Sequence, residues 1–205
     1  MSGGTLVIGL CGRSGSGKGY VCNSFLRRGV SSVDTDKVYR ELLLDRSCGC
    51  LGELVLEFGS DILDTDGNLN RRVLAGKVFG DGGAKLPRLN EITHKYILER
   101  TVESIKRAEE QMLSAIIIDA PVLFESGFDK LCHLTVCVTA PDSLCAARIM
   151  LRDGISEQEA LKRLSNQKSA EELKALCDIE IVNDGVADVD AQVSEVLKKY
   201  LQEGK

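Results

Sequence analysis

Short, nearly uninterrupted apolar runs recur along the chain, and between them lie stretches whose apolar residues repeat at helical spacing. The first run, residues 6–10, ends in a glycine-rich turn from Gly12 to Gly17. It gives way to a helical pattern that sets Val21, Phe25 and Leu26 on one face. Gly29 stops that helix, and a second strand over 29–33 delivers Asp34-Thr35-Asp36 at its carboxyl end, where open α/β sheets bind ligands. Runs at 114–118 and 134–138 have the continuous apolar character of strands covered on both faces, and a fifth strand is predicted at 179–182. Helices are predicted over 87–112, 141–152 and 189–202. The alternation predicts an α/β fold with about five parallel strands flanked by helices.

Two stretches stand outside that alternation. Residues 38–111 form a long excursion with turn signals at Asp64-Thr65-Asp66-Gly67 and Asp81-Gly82-Gly83, room for a mostly helical substrate-binding insertion. Within 152–169, Ser156-Glu157-Gln158-Glu159 matches a capping box that opens a short helix carrying Lys162, Arg163 and Lys168. Placed after Gly154, this segment reads as a short helical lid. Residues 1–205 show no repeat and no convincing linker, so one domain carrying both segments is expected.

The 205 residues carry a formal net charge of -5, which argues against a general nucleic-acid or membrane-surface binder. The opening lacks the basic start and apolar run of a secretion signal, and no segment approaches the roughly 18 apolar residues of a membrane span. A cytoplasmic protein without nucleic-acid or membrane partners is expected. Eight cysteines, scattered mostly through apolar stretches without C-x-x-C spacing, read as reduced core thiols. Cys48-Gly49-Cys50 with His94 or His133 lacks the spacing of a structural zinc site.

Gly12-Arg13-Ser14-Gly15-Ser16-Gly17-Lys18 is the phosphate-loop pattern G-x-x-x-x-G-K, with a strand before it and a helix after it. Glycines let backbone N–H groups turn inward, the helix amino terminus adds its dipole, and the lysine reaches the β and γ phosphates. Gly15, Ser16, Gly17, Lys18, Gly19 and Tyr20 are therefore the candidate nucleotide-binding residues. The pattern normally closes with a Ser or Thr whose hydroxyl binds magnesium, and Gly19 stands there instead, followed by Tyr20. Either Mg2+ is held mainly through water and carboxylates, or catalysis is impaired. Ile116-Ile117-Ile118-Asp119 supports the loop as an apolar strand ending in a carboxylate at the metal shell, a pattern common by itself.

Beyond the loop, the chain resembles the dephospho-coenzyme A kinase family nearly end to end. The carriers are Ile8 to Gly12 with Gly15 to Lys18; Val33-Asp34-Thr35-Asp36; and Phe58-Gly59, Asp66-Gly67, Leu69-Asn70-Arg71 and Val78-Phe79. Leu89-Asn90 with Ile92 and His94 follows, then Asp119-Ala120-Pro121-Val122-Leu123-Phe124-Glu125, and finally Arg148, Arg152, Gln167, Asp178 and Asn183. Departures are Gly19, Lys95 where a Pro usually follows the His, and Val122 within the P-L-L-F-E stretch.

The resemblance implies a P-loop kinase core that moves the ATP γ-phosphoryl group to the ribose 3′-hydroxyl of dephospho-coenzyme A, with ATP and Mg2+ required. It implies Lys18, Asp36 and Arg148 as catalytic residues, with Asp36 accepting the hydroxyl proton. Asp34, Asp36, Arg71, His94, Asp119 and Leu123 fall on the acceptor side, and Asp36 and Asp119 near the metal through water. Arg148 and Arg152, at i,i+4, face the nucleotide or, for Arg152, pair with neighbouring acids such as Asp153. His94 reads equally as a cap or a polar core residue, and Asn183-Asp184-Gly185 as an adenine border or a plain turn. Two other readings stay open: a kinase for another nucleoside or nucleotide, and a nucleotide-responsive binding protein that lost turnover with the hydroxyl at position 19.

Overall fold

The structure is a computed structural model that describes residues 4–80 and 82–202; Asp81 of the second turn signal lies outside them. In chain order the elements are β1 (Leu6–Gly12), α1 (Lys18–Leu26), β2 (Ser31–Asp34), α2 (Thr35–Leu42), α3 (Gly49–Phe58), α4 (Arg71–Phe79) and α5 (Leu86–Glu110). They continue as β3 (Ala115–Asp119), β4 (Leu134–Thr139), α6 (Asp142–Asp153), α7 (Glu157–Ser165), α8 (Ala170–Leu176), β5 (Ile179–Val182) and α9 (Val189–Gln202). Short 3-10 turns occupy Ser60–Ile62 and Phe128–Leu131.

The strands form one five-stranded parallel sheet in the order β2-β3-β1-β4-β5. Register pairs Leu10 with Asp119 on one side of β1 and Cys11 with Cys137 on the other. β1 is buried along its middle and β4 along its whole length, the reason both read as unbroken apolar runs. On one face, Val21 and Phe25 of α1 and Val193 and Val196 of α9 pack with Ile8, Leu10, Val136 and Ile181 of the sheet. Removing a fully buried side chain such as Phe25 costs about 3–5 kcal/mol, so this layer fixes the helix that follows the phosphate loop.

Two local expectations are corrected. Leu26 is 40% exposed, because α1 ends there, while Val21, Cys22 and Phe25 reach the core. Gly29 lies in a turn at φ 80 rather than opening the second strand, which starts at Ser31. The 152–169 segment holds α7, with its predicted capping box, and Ser169 opens α8 with a second one.

The chain divides into two compact units: the described residues up to Val33 together with those from Ser104 onward, and the stretch Asp34–Glu103. The second unit is mainly helical, with a turn between Leu63 and Leu69 where Asp64 accepts from the N–H groups of Asp66 (3.0 Å) and Asn68 (2.8 Å). Leu54, Ile62 and Val78 are fully buried there. Among the described residues no helix is long and apolar enough to cross a membrane. All eight cysteines are free thiols.

Candidate active site

The phosphate loop leaves β1 at Gly12 and enters α1 at Lys18. Gly15 and Gly17 hold φ values of 78 and 85, a left-handed backbone that side chains rarely adopt. A Cβ on Gly15 would collide with the Cys145 carbonyl, and one on Gly17 with the Asn183 amide. Both positions therefore require glycine for space as well as for conformation.

The loop is gripped from behind. Arg148 of α6 donates from Nη1 to the carbonyls of Gly15 (3.1 Å) and Ser16 (3.2 Å), and from Nη2 to that of Asn183 (3.1 Å). Asn183, just past β5 and 8% exposed, donates from Nδ2 to the same Ser16 carbonyl at 2.8 Å. A trans peptide sets its N–H opposite its C=O, so turning the Ser16 carbonyl toward these donors turns the Gly17 N–H the other way. Helix α1 begins there, adding the positive end of its dipole.

A second set of bonds ties the loop to the segment around α7. Ser14 N–H donates to Gln167 Oε1 at 2.9 Å, and Gln167 Nε2 donates to the Ser14 hydroxyl at 3.0 Å. Arg13 donates to the Leu164 carbonyl at 2.8 Å and pairs with Asp142. Arg13 occupies a wildcard position of the motif, so sequence reasoning missed it. Gln167 had only the family resemblance to mark it.

At the end of β3, Asp119 forms an ion pair with the Lys18 ammonium, and the two side chains are 15% and 18% exposed. The Leu10–Asp119 register sets that carboxylate beside the strand that feeds the loop. Glycine cradle, helix amino terminus and lysine suit a polyphosphate. For a divalent metal, Asp119 is the nearby carboxylate and Gly19 brings no hydroxyl, so direct coordination from the loop's usual position is absent. Gly19 is exposed, with nothing within 4 Å of where a Cβ would sit.

The remaining predicted residues are distributed as follows. Arg152 is exposed and pairs with Asp153 (2.7 and 2.9 Å), which also binds Arg163; these two arginines hold the Asp153 carboxyl well below the usual range. Tyr20 is half exposed on α1. Leu123 is fully buried and sits over Gly9.

In the Asp34–Glu103 unit, Asp34 caps α2 by accepting from Lys37 N–H at 3.0 Å, and Asp36 is exposed in the first turn of that helix. Arg71 is exposed at the start of α4, behind the Asn70 cap. Burial lowers the His94 pKa from its ordinary value, so the imidazole is neutral at pH 7. His133, the other histidine, is used structurally, its Nδ1 accepting from Val7 N–H at 2.9 Å.

A loop of this build on a parallel sheet defines a P-loop kinase. Shikimate kinase from Bacteroides thetaiotaomicron shares the fold at a TM-score of 0.53 with 17% identity, covering 96% of this chain and 98% of that one. The narrower match is decisive. The family model described as dephospho-CoA kinase matches residues 6–188. The dephospho-CoA kinase of Lactobacillus johnsonii is 32% identical over 95% of this chain and 98% of its own length, and that of Syntrophotalea carbinolica 35% identical over 88% and 84%. A solved Thermus thermophilus structure is 28% identical with a TM-score of 0.77, covering 98% of each chain. The chain belongs to the dephospho-CoA kinase family.

Proposed function

We propose that the chain transfers the ATP γ-phosphoryl group to the ribose 3′-hydroxyl of dephospho-coenzyme A, giving coenzyme A and ADP, the last step of coenzyme A biosynthesis. A phosphoryl transfer of this kind needs positioning and charge neutralisation more than a covalent intermediate. Lys18 and the outward loop amides hold the transferring phosphate. Arg148 and Asn183 act through the loop, keeping its carbonyls back and its N–H groups forward. Magnesium, bound with the nucleotide, would neutralise charge on the phosphates, with Asp119 the candidate to hold it through water.

For the acceptor, Asp36 is the proposed proton acceptor, a role that suits an exposed carboxylate more than Asp34, whose oxygen already caps α2. Arg71 and His94 are proposed acceptor-side residues, His94 as a neutral hydrogen-bonding group. Residues 38–111 are read as the acceptor-binding insertion and 152–169 as the lid. Arg152, if freed from Asp153, supplies a cation for the nucleotide. The reading assigns the enzyme to the cytoplasm, where ATP is abundant.

The observation that carries the reading is the convergence of Arg148 and Asn183 on the Ser16 carbonyl, which explains how a glycine-rich loop keeps a phosphate-binding shape. The test is an acceptor panel with Mg-ATP, following ADP release. Dephospho-coenzyme A is expected to exceed every nucleoside and nucleoside monophosphate. A preference for one of those, or no ADP from folded protein, overturns the reading.

A further inference from the structure

At the root of the phosphate loop, three cysteines from separate parts of the chain converge. Cys11 lies near the end of β1, Cys137 is its register partner on β4, and Cys177 follows α8. Their sulfur atoms all lie within 4.8 Å of one another, with Cys11 and Cys177 at 3.4 Å. Three thiolates around one ion, each about 2.3 Å from it, sit about 4 Å apart, within the spread seen here. Cys11 and Cys137 are buried, whereas Cys177 is half-buried and gives the cluster an approach from solvent.

A disulfide would engage two of these sulfurs and leave the third idle, and the sheet already pins Cys11 beside Cys137. Convergence of all three is the arrangement a cation needs. We propose that Cys11, Cys137 and Cys177 form a binding site for one thiophilic divalent cation, of the zinc or cadmium kind. Thiolate sulfur selects soft ions over magnesium or calcium. A divalent ion leaves three thiolates with one net negative charge, and a monovalent ion leaves two, which a largely buried site tolerates less well. Asp178 and Glu180 follow Cys177 in sequence, Asp178 accepting from Thr135 and Glu180 paired with Lys174.

The site is independent of the transferase reading. Its consequence is mechanical, since Cys11 immediately precedes Gly12 and a bound ion would brace β1, β4 and the approach to β5 at the root of the loop.

The test is titration of the reduced, intact protein with Cd2+, followed by the thiolate-to-cadmium charge-transfer absorption, which carboxylate sites do not produce. One equivalent is expected to bind with that band, to raise the melting temperature, and to protect Cys177, the half-buried member, from alkylation in the unaltered protein. Cys177→Ala is expected to weaken binding more than 10-fold, and Cys48→Ser with Cys50→Ser to leave it unchanged. Absence of a stoichiometric band, protection that falls on other cysteines, or a band that survives Cys177→Ala overturns the proposal. The alkylation pattern, read on unaltered protein, decides the matter even if the variant does not fold.

Discussion

The phosphate loop and the Asp34–Glu103 unit are held in opposite ways. The loop is tied by bonds with Asn183, which is buried, with Arg148 and, through Arg13, with Leu164, which are part-buried, and with Gln167 at the surface, most of them directed at backbone. The helical unit is laced by side-chain ion pairs at the surface: Arg88 with Glu57 and Glu91, Lys95 with Glu53, Lys77 with Asp61, and Arg100 with Asp45. Buried bonds to backbone fix one geometry, because leaving a desolvated carbonyl unmatched is expensive. Exposed ion pairs contribute little each and exchange readily with water. A loop that must keep one shape for a polyphosphate needs the first kind of support, and the acceptor-binding role proposed for the helical unit is compatible with the second.

The contrast can be broken most severely at Lys18. Lys18→Ala is expected to lower kcat about 10²–10³-fold while circular dichroism stays that of the parent, a loss typical of removing one charge-stabilising donor, with some fall in melting temperature because Asp119 loses its partner. Gly17→Ala comes next. It puts a Cβ against Asn183 and a side chain at φ 85, so a destabilisation of about 1–3 kcal/mol by denaturant unfolding is expected, together with weaker ATP binding. Asn183→Ala removes one of the two groups bonded to the Ser16 carbonyl and is expected to cost about 1–2 kcal/mol, with KM for ATP rising more than kcat falls. A milder effect separates the regions: Lys95→Met in the helical unit should leave the melting temperature nearly unchanged and show no salt-dependent loss of ATP affinity.

The smallest expected effect is one of pH. Hydrogen bonds from the Thr135 hydroxyl (2.7 Å) and backbone N–H (2.8 Å) hold the Asp178 carboxyl below its ordinary value. A carboxylate lowered in the folded state stabilises it above the unfolded pKa of about 4, and that contribution is lost as pH falls through the native value. The melting temperatures of the parent and of Asp178→Ala should therefore differ at pH 7 and converge in acid. Divergence on acidification would reverse the assigned sign.

The two regions also differ in how far the sequence announced them. β1, β3 and β4 were legible as nearly unbroken apolar runs, and the loop because its glycines follow a strand and precede a helix; β2, Ser-Ser-Val-Asp, is no such run, and its start was misplaced. α7 was legible through its capping box. The Ser169 to Glu172 box that opens α8 carries the same signature, overlooked because the surrounding residues read as the end of the lid. Leu26 misled because helical spacing says nothing of where a helix stops. The grip on the loop was not legible, since Arg148 and Ser16 are 132 residues apart and meet only when strand order is set. In the helical unit, Asp34 showed a strand-end acid in the sequence and a helix cap in three dimensions, a difference that depends on where α2 begins.

The measurement that bears most directly on the account is the identity of the product formed from Mg-ATP and dephospho-coenzyme A, read by mass spectrometry and phosphorus NMR, with Lys18→Ala alongside. The account predicts one added phosphate on the ribose 3′-oxygen, one ADP per coenzyme A, and near loss of both in the variant. Phosphate at another position, ADP without coenzyme A, or undiminished turnover in Lys18→Ala would contradict it.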